Sequence, residues 1–418
     1  MKFRWETEFK ETEIGEIPRD WGVKSLGDKN LKIIMGQSPP SKYYNKERIG
    51  YPFVQGKTEF GELYIETNTY TTKCAKVAPA FSVLITVRAP VGELNITKEE
   101  LCIGRGVAAI LSKNNDIAKN KFIYYLLKGL KSYIEAFGDR GTTYDSITKE
   151  DLESLQIPYP PPEEQTRIAT VLSWFDDLIE NKRRQNEILE KTAMAIFKSW
   201  FIDFEPFQDE EFVYSEELGM EIPEGWDVDF TTRFIDYNPT LKLEKGKIYP
   251  FVEMKDVNTN SLVCEFGFKE FSGSGIRYCG GDTLMARITP SLEHGKTAYV
   301  WFISENEKGF GTTEFFVLHP RKPWLREFVY LLAKNDEFRE VAINSMSGTS
   351  GRQRADVNAL KNYLIPIPPE PILQHFHSLV EPLFQKIINN QKQILTLKKI
   401  RDTLLPQLVF GRLRVEEL

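Results

Sequence analysis

Residues 157–204 read IPYPPPEEQTRIATVLSWFDDLIENKRRQNEILEKTAMAIFKSWFIDF, and this stretch decides the architecture. After the prolines, Ile168, Leu172, Phe175, Ile179, Lys182, Asn186, Leu189, Ala193, Ile196 and Trp200 fall alternately four and three apart. That spacing predicts one long helix with a heptad seam rather than a general amphipathic face. The prolines stop the preceding structure and give the helix a stiff entry.

The same pattern occurs again near the end of the chain. After Pro366–Pro371, Val380, Leu383, Ile387, Asn390, Ile394, Leu397, Arg401, Leu404 and Leu408 alternate three and four apart. Pro382 predicts a late start or a kink in this second helix. A seam of about 35 residues is roughly 50 Å long, whereas a module of about 150 residues has a radius of gyration near ~15 Å. Each helix therefore needs a partner, and its duplicate in the same chain is at hand. Modules at opposite ends make the pair antiparallel, with the polar positions Lys182, Asn186 and Asn390 close to one another. Such residues fix register at some cost in stability.

Working outward, the segments around the helices repeat in order. Ile17-Pro18-Arg19-Asp20-Trp21 matches Ile222-Pro223-Glu224-Gly225-Trp226, and Tyr51-Pro52-Phe53-Val54 matches Tyr249-Pro250-Phe251-Val252. Tyr125-Leu126-Leu127 matches Tyr330-Leu331-Leu332, and Gly141-Thr142-Thr143 matches Gly348-Thr349-Ser350. Ile157-Pro158 matches Ile365-Pro366, and Gln165, Phe175, Ile179 and Asn181 match Gln374, Phe384, Ile388 and Asn390. An ordered series of this kind is a duplication. Residues 30–120 and 235–320 share little beyond strand-like blocks such as Val83–Arg88 and Thr283–Arg287, so the frame repeats and the filling does not.

Each module reads as mixed α/β. Val107–Leu111 and Phe315–Leu318 are buried strands, Phe122–Phe137 and Phe328–Val341 are helices, and Thr148 and Asp356 are N-caps. The fold class is α+β: two pseudo-repeated α/β modules joined by two long helices in an intramolecular antiparallel coiled coil. The expected boundaries are residues 1–160, a central helix 161–205, residues 206–368 and a C-terminal helix 369–418.

Of the 418 residues, 41% are hydrophobic and 27% charged, a globular profile of more than one core. There is no apolar run of about 18 residues, so no membrane partner is expected. The charged N-terminus is no signal peptide, and the chain is expected in the cytoplasm. Cys74, Cys102, Cys264 and Cys279 form no CxxC and read as reduced, mostly buried thiols; His375-x-His377 reads as a solvated helix start. No metal or cofactor motif occurs, so none is expected. Ser38-Pro39-Pro40 lacks the aromatic that a methyltransferase loop needs next, since Ser41 stands there. Gly104-Arg105-Gly106 reads as a turn. No catalytic residue is assigned.

The net charge of −6 counts against a nucleic-acid partner, but phosphate contacts need only a local basic face. Gly36–Tyr44 supplies Gln37, Ser38, Lys42, Tyr43 and Tyr44, side chains suited to base edges and phosphates. Arg140, Thr142, Thr143 and Tyr144 in one half, and Thr349, Ser350, Arg352, Gln353 and Arg354 in the other, repeat that chemistry around glycines. Each loop alone reads as a surface turn; their recurrence at matching places carries the DNA-binding reading. Arg88 and Arg287 match at an offset of 199 and suit either guanine or a buried carboxylate.

These motifs resemble the specificity subunits of Type I restriction–modification enzymes. The stretches concerned are Glu16-Ile17-Pro18 with Trp21, Gly36–Ser41, Ile157–Gln165, Ile196–Phe204, and Leu404–Leu408 followed by Gly411. In the second half Glu370-Pro371-Ile372-Leu373-Gln374 replaces the tidier Pro162–Gln165. The resemblance covers nearly the whole chain. It implies two target-recognition domains, each reading half of a bipartite site in double-stranded DNA. It also implies helices that act as spacers and dock two methyltransferase subunits, with restriction subunits joining the complex. A coiled-coil scaffold that binds proteins without DNA remains as the alternative, and so does an enzyme acting alone.

Overall fold

A computed structural model describes residues 1–138, 146–349 and 351–418, and divides into two compact units. Unit 1 is Met1–Glu180 with Leu395–Leu418; unit 2 is Asn181–Ile394. The helices are α1 (Ile117–Gly129), α2 (Lys131–Gly138), α3 (Lys149–Ser154), α4 (Pro162–Phe201), α5 (Arg326–Lys334), α6 (Asp336–Asn344), α7 (Val357–Lys361) and α8 (Glu370–Val409). Both long helices thus contribute to both units.

In unit 1 the first sheet runs Leu94–Ile96, Val83–Thr86, Val107–Ser112, Leu31–Met35, all antiparallel. A second sheet pairs Tyr51–Val54 in parallel with Leu101–Ile103, which is antiparallel to Val77–Ala78. Unit 2 has the same order: Thr297–Tyr299, Thr283–Ala286, Phe315–Pro320, Ile235–Tyr237. Its second sheet again pairs Ile248–Val252 in parallel with Lys308–Gly311, antiparallel to Ile276–Cys279. The expectation that only the frame repeats is therefore corrected. The filling shares strand order and pairing, and it escaped notice because β strands tolerate many apolar sequences on a buried pleat.

The first sheet is covered on both faces, which is why its strands are continuous apolar runs. Val83 and Ile85 pack with α1, α4 and α8, while Leu84 and Ala109 face Val54 and Ile103 of the second sheet. Unit 2 alternates likewise: Met285 and Phe316 lie on the helix side, Leu284 and Val317 on the other.

Two expected helices are each broken. Phe122–Phe137 is α1 and α2, parted at Leu130. Phe328–Val341 is α5 and α6, because the Asn335 side chain accepts from Phe338 N (3.1 Å) and caps a new helix. Thr148 and Asp356 are N-caps as expected, and α8 runs unbroken through Pro382.

Cys74 and Cys102 form a disulfide with a Cα–Cα distance of 5.6 Å, which corrects the reading of all four cysteines as reduced thiols. Sequence spacing could not show that the strand Leu101–Ile103 brings its cysteine alongside the loop that carries Cys74. Cys264 and Cys279 are free and buried. His377 is also more than a solvated residue, since its Nδ1 lies 2.7 Å from Oε2 of buried Glu327.

The seam positions are packed within each unit. In unit 1 Ile168, Leu172 and Ile179 are buried and Phe175, Leu397 and Leu404 half-buried. There Arg401 Nη1 donates to Asp176 Oδ1 (2.5 Å), and Tyr125 hydroxyl to Asp176 Oδ2 (2.6 Å). In unit 2 Asn186, Val380, Ile387, Asn390 and Ile394 are buried, with Leu189 and Ile196 half-buried. Asn186 meets Asn390, and Phe197 and Phe201 meet Phe376, so the helices run antiparallel there.

The repeated Trp is buried in both units, as Trp21 and Trp226. In unit 1 Trp21 Nε1 donates to buried Glu164 Oε2 (3.0 Å), and Glu164 also takes Arg414 (Nη2, 2.7 Å) from the C-terminal strand Leu413–Glu417. That strand pairs antiparallel with Lys2–Trp5.

Candidate nucleic-acid interface

In unit 1 the segment Gly36–Ser38 lies against the turn Gly104–Gly106. Gly36 N donates to Val107 O (2.9 Å), and Gln37 N to Ile103 O (2.9 Å). A Cβ on Gly36 would come within 2.1 Å of Gly104 O, so only glycine permits this approach. Gln37 is left exposed, while Ser38 Oγ accepts from Arg105 N (3.1 Å).

The short 3-10 turn Ser41–Tyr43 follows. Lys42 and Lys73 stand 5.2 and 5.3 Å from the Tyr43 ring centre, a cation–π cluster open to solvent. Tyr44 instead turns inward. Its hydroxyl donates to Pro39 O (2.9 Å), its ring is 4.7 Å from that of Phe53, and burial raises its pKa. Ser38-Pro39-Pro40 is thus tied into the loop at Ser38 and Pro39.

The matching of Arg88 with Arg287 is corrected. Val87 N donates to Gly106 O and Arg287 N to Glu314 O, each at 2.9 Å. Arg287 therefore occupies the place of Val87, and Arg88 that of Ile288. A shift of one residue along extended chain turns the side chain to the other face. Arg88 is exposed, whereas the half-buried Arg287 lies 5.2 Å from the Phe316 ring centre with Nη2 3.5 Å from Ala355 O.

In unit 2 Ser347 and Arg354 bridge a tight loop whose Gly348 has φ of +124°. Thr349 O accepts from Arg352 N (3.0 Å), and Gln353 N donates to Thr289 Oγ1 (3.2 Å). Arg354 is committed: Nε and Nη2 donate to the two oxygens of Glu314 at 2.9 and 2.6 Å. That contact holds the Glu314 carboxyl below its usual range. Arg352 remains exposed. Arg140, Thr142, Thr143, Tyr144 and Ser350 lie outside the described residues.

Sequence reasoning missed Arg105, read only as part of a turn. It is exposed, with its backbone N bonded to Ser38 Oγ, and the two flanking glycines were the available signal. It also missed an open cavity of about 520 Å³ in unit 2, lined by Lys255, Lys269, Ser272, Ser274, Thr312 and Thr313 over Phe251 and Phe310. Among the described residues no His, Cys, Asp or Glu cluster is suited to a metal, and no helix is long and apolar enough to cross a membrane.

A family model described as the Type I restriction modification DNA specificity domain matches residues 18–191. The chain is 38% identical to the Type I restriction enzyme MjaIX specificity subunit of Methanocaldococcus jannaschii, over 100% of this chain and 99% of that protein. It is 54% identical to the putative type I restriction enzyme MjaX specificity subunit of the same organism, over 44% of this chain and 43% of that one. The crystal structure of a Type-I restriction-modification system S subunit from M. genitalium shares the fold, with a TM-score of 0.53 at 20% identity. That match covers 93% of this chain and 96% of the other.

Proposed function

The chain belongs to the specificity subunits of Type I restriction–modification systems, and from that premise we propose that each unit reads one half of a bipartite site in double-stranded DNA. The observation that carries this is a pair of units with one strand order and different exposed loops. A common scaffold with Gln37 and Arg105 in one copy and Thr312 and Thr313 in the other suits two different half-sites.

The helices set the distance between half-sites and dock methyltransferase subunits, two copies for two units, with restriction subunits joining. Exposed Trp174 and Leu178, one turn apart on α4 in unit 1, support the docking role. Large apolar side chains exposed on a helix mark protein contacts when they cluster. Methyl transfer and cleavage belong to those partners. Ser38-Pro39-Pro40 acts here as a loop strut, with Ser38 Oγ and Pro39 O both engaged.

Selection of the full-length chain on a random duplex library tests the proposal. The expected product is two conserved blocks around a spacer of fixed length. Neutralising about 6–10 phosphates would also cost ~10³–10⁵ in affinity between about 50 and 200 mM salt. Enrichment of no sequence, with a flat salt response, would favour a scaffold that binds only proteins.

A further inference from the structure

One loop occupies the same place in both units. In unit 1 Gly104 N donates to Val54 O (2.8 Å), and Gly106 O accepts from Val87 N (2.9 Å). In unit 2 Thr312 N donates to Val252 O (3.2 Å), and Glu314 O accepts from Arg287 N (2.9 Å). Arg105 and Thr313 are therefore the same position of one framework, and both are exposed.

The surroundings differ in a way that bears on recognition. A Cβ on Gly106 would lie 2.4 Å from Gln55 O, and one on Gly104 3.1 Å from the Phe53 ring. Glycines thus hold the unit 1 loop tight to its neighbours while one long side chain stands clear. The Arg105 guanidinium has no hydrogen bond or ion pair among the described residues. In unit 2 the short Thr312 and Thr313 side chains line the open cavity instead, with Lys269 Nζ 4.5 Å from the Phe251 ring centre.

We infer that this loop sets the base preference of each half-site, Arg105 reading guanine in one and Thr313 reading by hydroxyl and methyl contact in the other. The inference rests on the DNA-reading role proposed above. A guanidinium fork fits the two major-groove acceptors of guanine, whereas a Thr hydroxyl serves several bases and its methyl packs on that of thymine. The unit 2 loop carries only short side chains over its open cavity.

The test is binding selection with the full-length chain on a random duplex library, comparing wild type with Arg105→Ala, Arg105→Lys and Thr313→Arg. Arg105→Ala is expected to lower one guanine preference in one half-site roughly tenfold and leave the other half-site intact. Arg105→Lys keeps the charge without the fork, so the salt slope should hold while the guanine preference weakens less than in Arg105→Ala. Thr313→Arg should add a guanine preference to the opposite half-site, a gain that misfolding does not produce. Variants that leave both half-sites as in wild type overturn the inference alone. A wild-type chain that enriches no sequence overturns the DNA-reading role, and the inference with it.

Discussion

Asn390 Nδ2 donates to Asn186 Oδ1 at 2.9 Å, with both side chains buried between α4 and α8 in unit 2. Leucine at both places would bury more apolar surface, but it would give up a contact that exists in one register only. Asn390→Leu alone leaves the Asn186 amide without this partner and should cost about 1–3 kcal/mol. The double variant Asn186→Leu/Asn390→Leu should recover most of that loss. Urea unfolding midpoints decide it: a double variant less stable than the single would mean the pair contributes more than register.

Arg401 and Asp176 form a second buried polar contact in the seam, in unit 1, and Tyr125 donates to the same carboxylate. Arg401→Met leaves a buried charge with only the Tyr hydroxyl and should cost about 3–5 kcal/mol. Replacing all three, as Arg401→Met/Asp176→Leu/Tyr125→Phe, removes every stranded group. That variant should be more stable than the single one; equal or lower stability would show that the network is itself a net source of stability.

The seam was legible because period is a property of sequence alone: every residue assigned to it is buried or half-buried. Asn390 was recognisable as a polar break in that period. Arg401 stood in the seam too, but its partner Asp176 lies off the seam spacing, so only three dimensions join them. The sheets were legible as strands and not as a repeat. Thr86 pairs with Val107 and Ala286 with Phe315, which is a shared register with almost no shared residue identity. Counting from sequence alone put Arg88 against Arg287, one residue out. The candidate interface was readable around Gln37, where amides, hydroxyls and lysines cluster. It was not readable at Thr312 and Thr313, whose place depends on a parallel strand pairing far along the chain.

Arg354 was expected to touch DNA, yet its fork is spent on Glu314. Arg352 is exposed on the same loop and has no side-chain hydrogen bond among the described residues. Arg352→Ala should therefore weaken DNA binding and reduce the salt slope by about one if it holds a phosphate. Arg354→Ala should leave the slope unchanged, because its fork is held by Glu314. A lower salt slope for Arg354→Ala would show that Arg354 leaves Glu314 for a phosphate when DNA binds.

His377 gives unit 2 a pH dependence of known sign. Its hydrogen bond to Glu327 raises the imidazole pKa, with burial opposing and Glu381 adding to the rise. The folded state thus holds a proton that the unfolded chain releases earlier as pH climbs. The stabilisation is complete below the ordinary histidine value, about 6.5, and fades as pH rises through the folded value. Urea midpoints measured on either side of neutrality should fall with pH in the wild type, and fall less in His377→Gln. Parallel curves would mean the ion pair adds nothing beyond its neutral hydrogen bond.

The helices supply the last test, that of a ruler. Seven residues inserted in both helices at matched levels, beside Asn186 and beside Asn390, keep the heptad face, while four disturb it. Seven helical residues add about 10 Å, or roughly three base pairs at about 3.4 Å each. Three base pairs also turn the groove by roughly 100° at about 10–10.5 pairs per turn, and a heptad of coiled coil supplies only ~20°. The expectation is two-sided. Either the preferred spacer lengthens by about three pairs with the DNA bent or twisted to match, or binding weakens sharply at every spacer. Selection on libraries of graded spacer length reads both outcomes. A folded insertion variant that keeps the original spacer at full affinity would show that something other than α4 and α8 sets the distance.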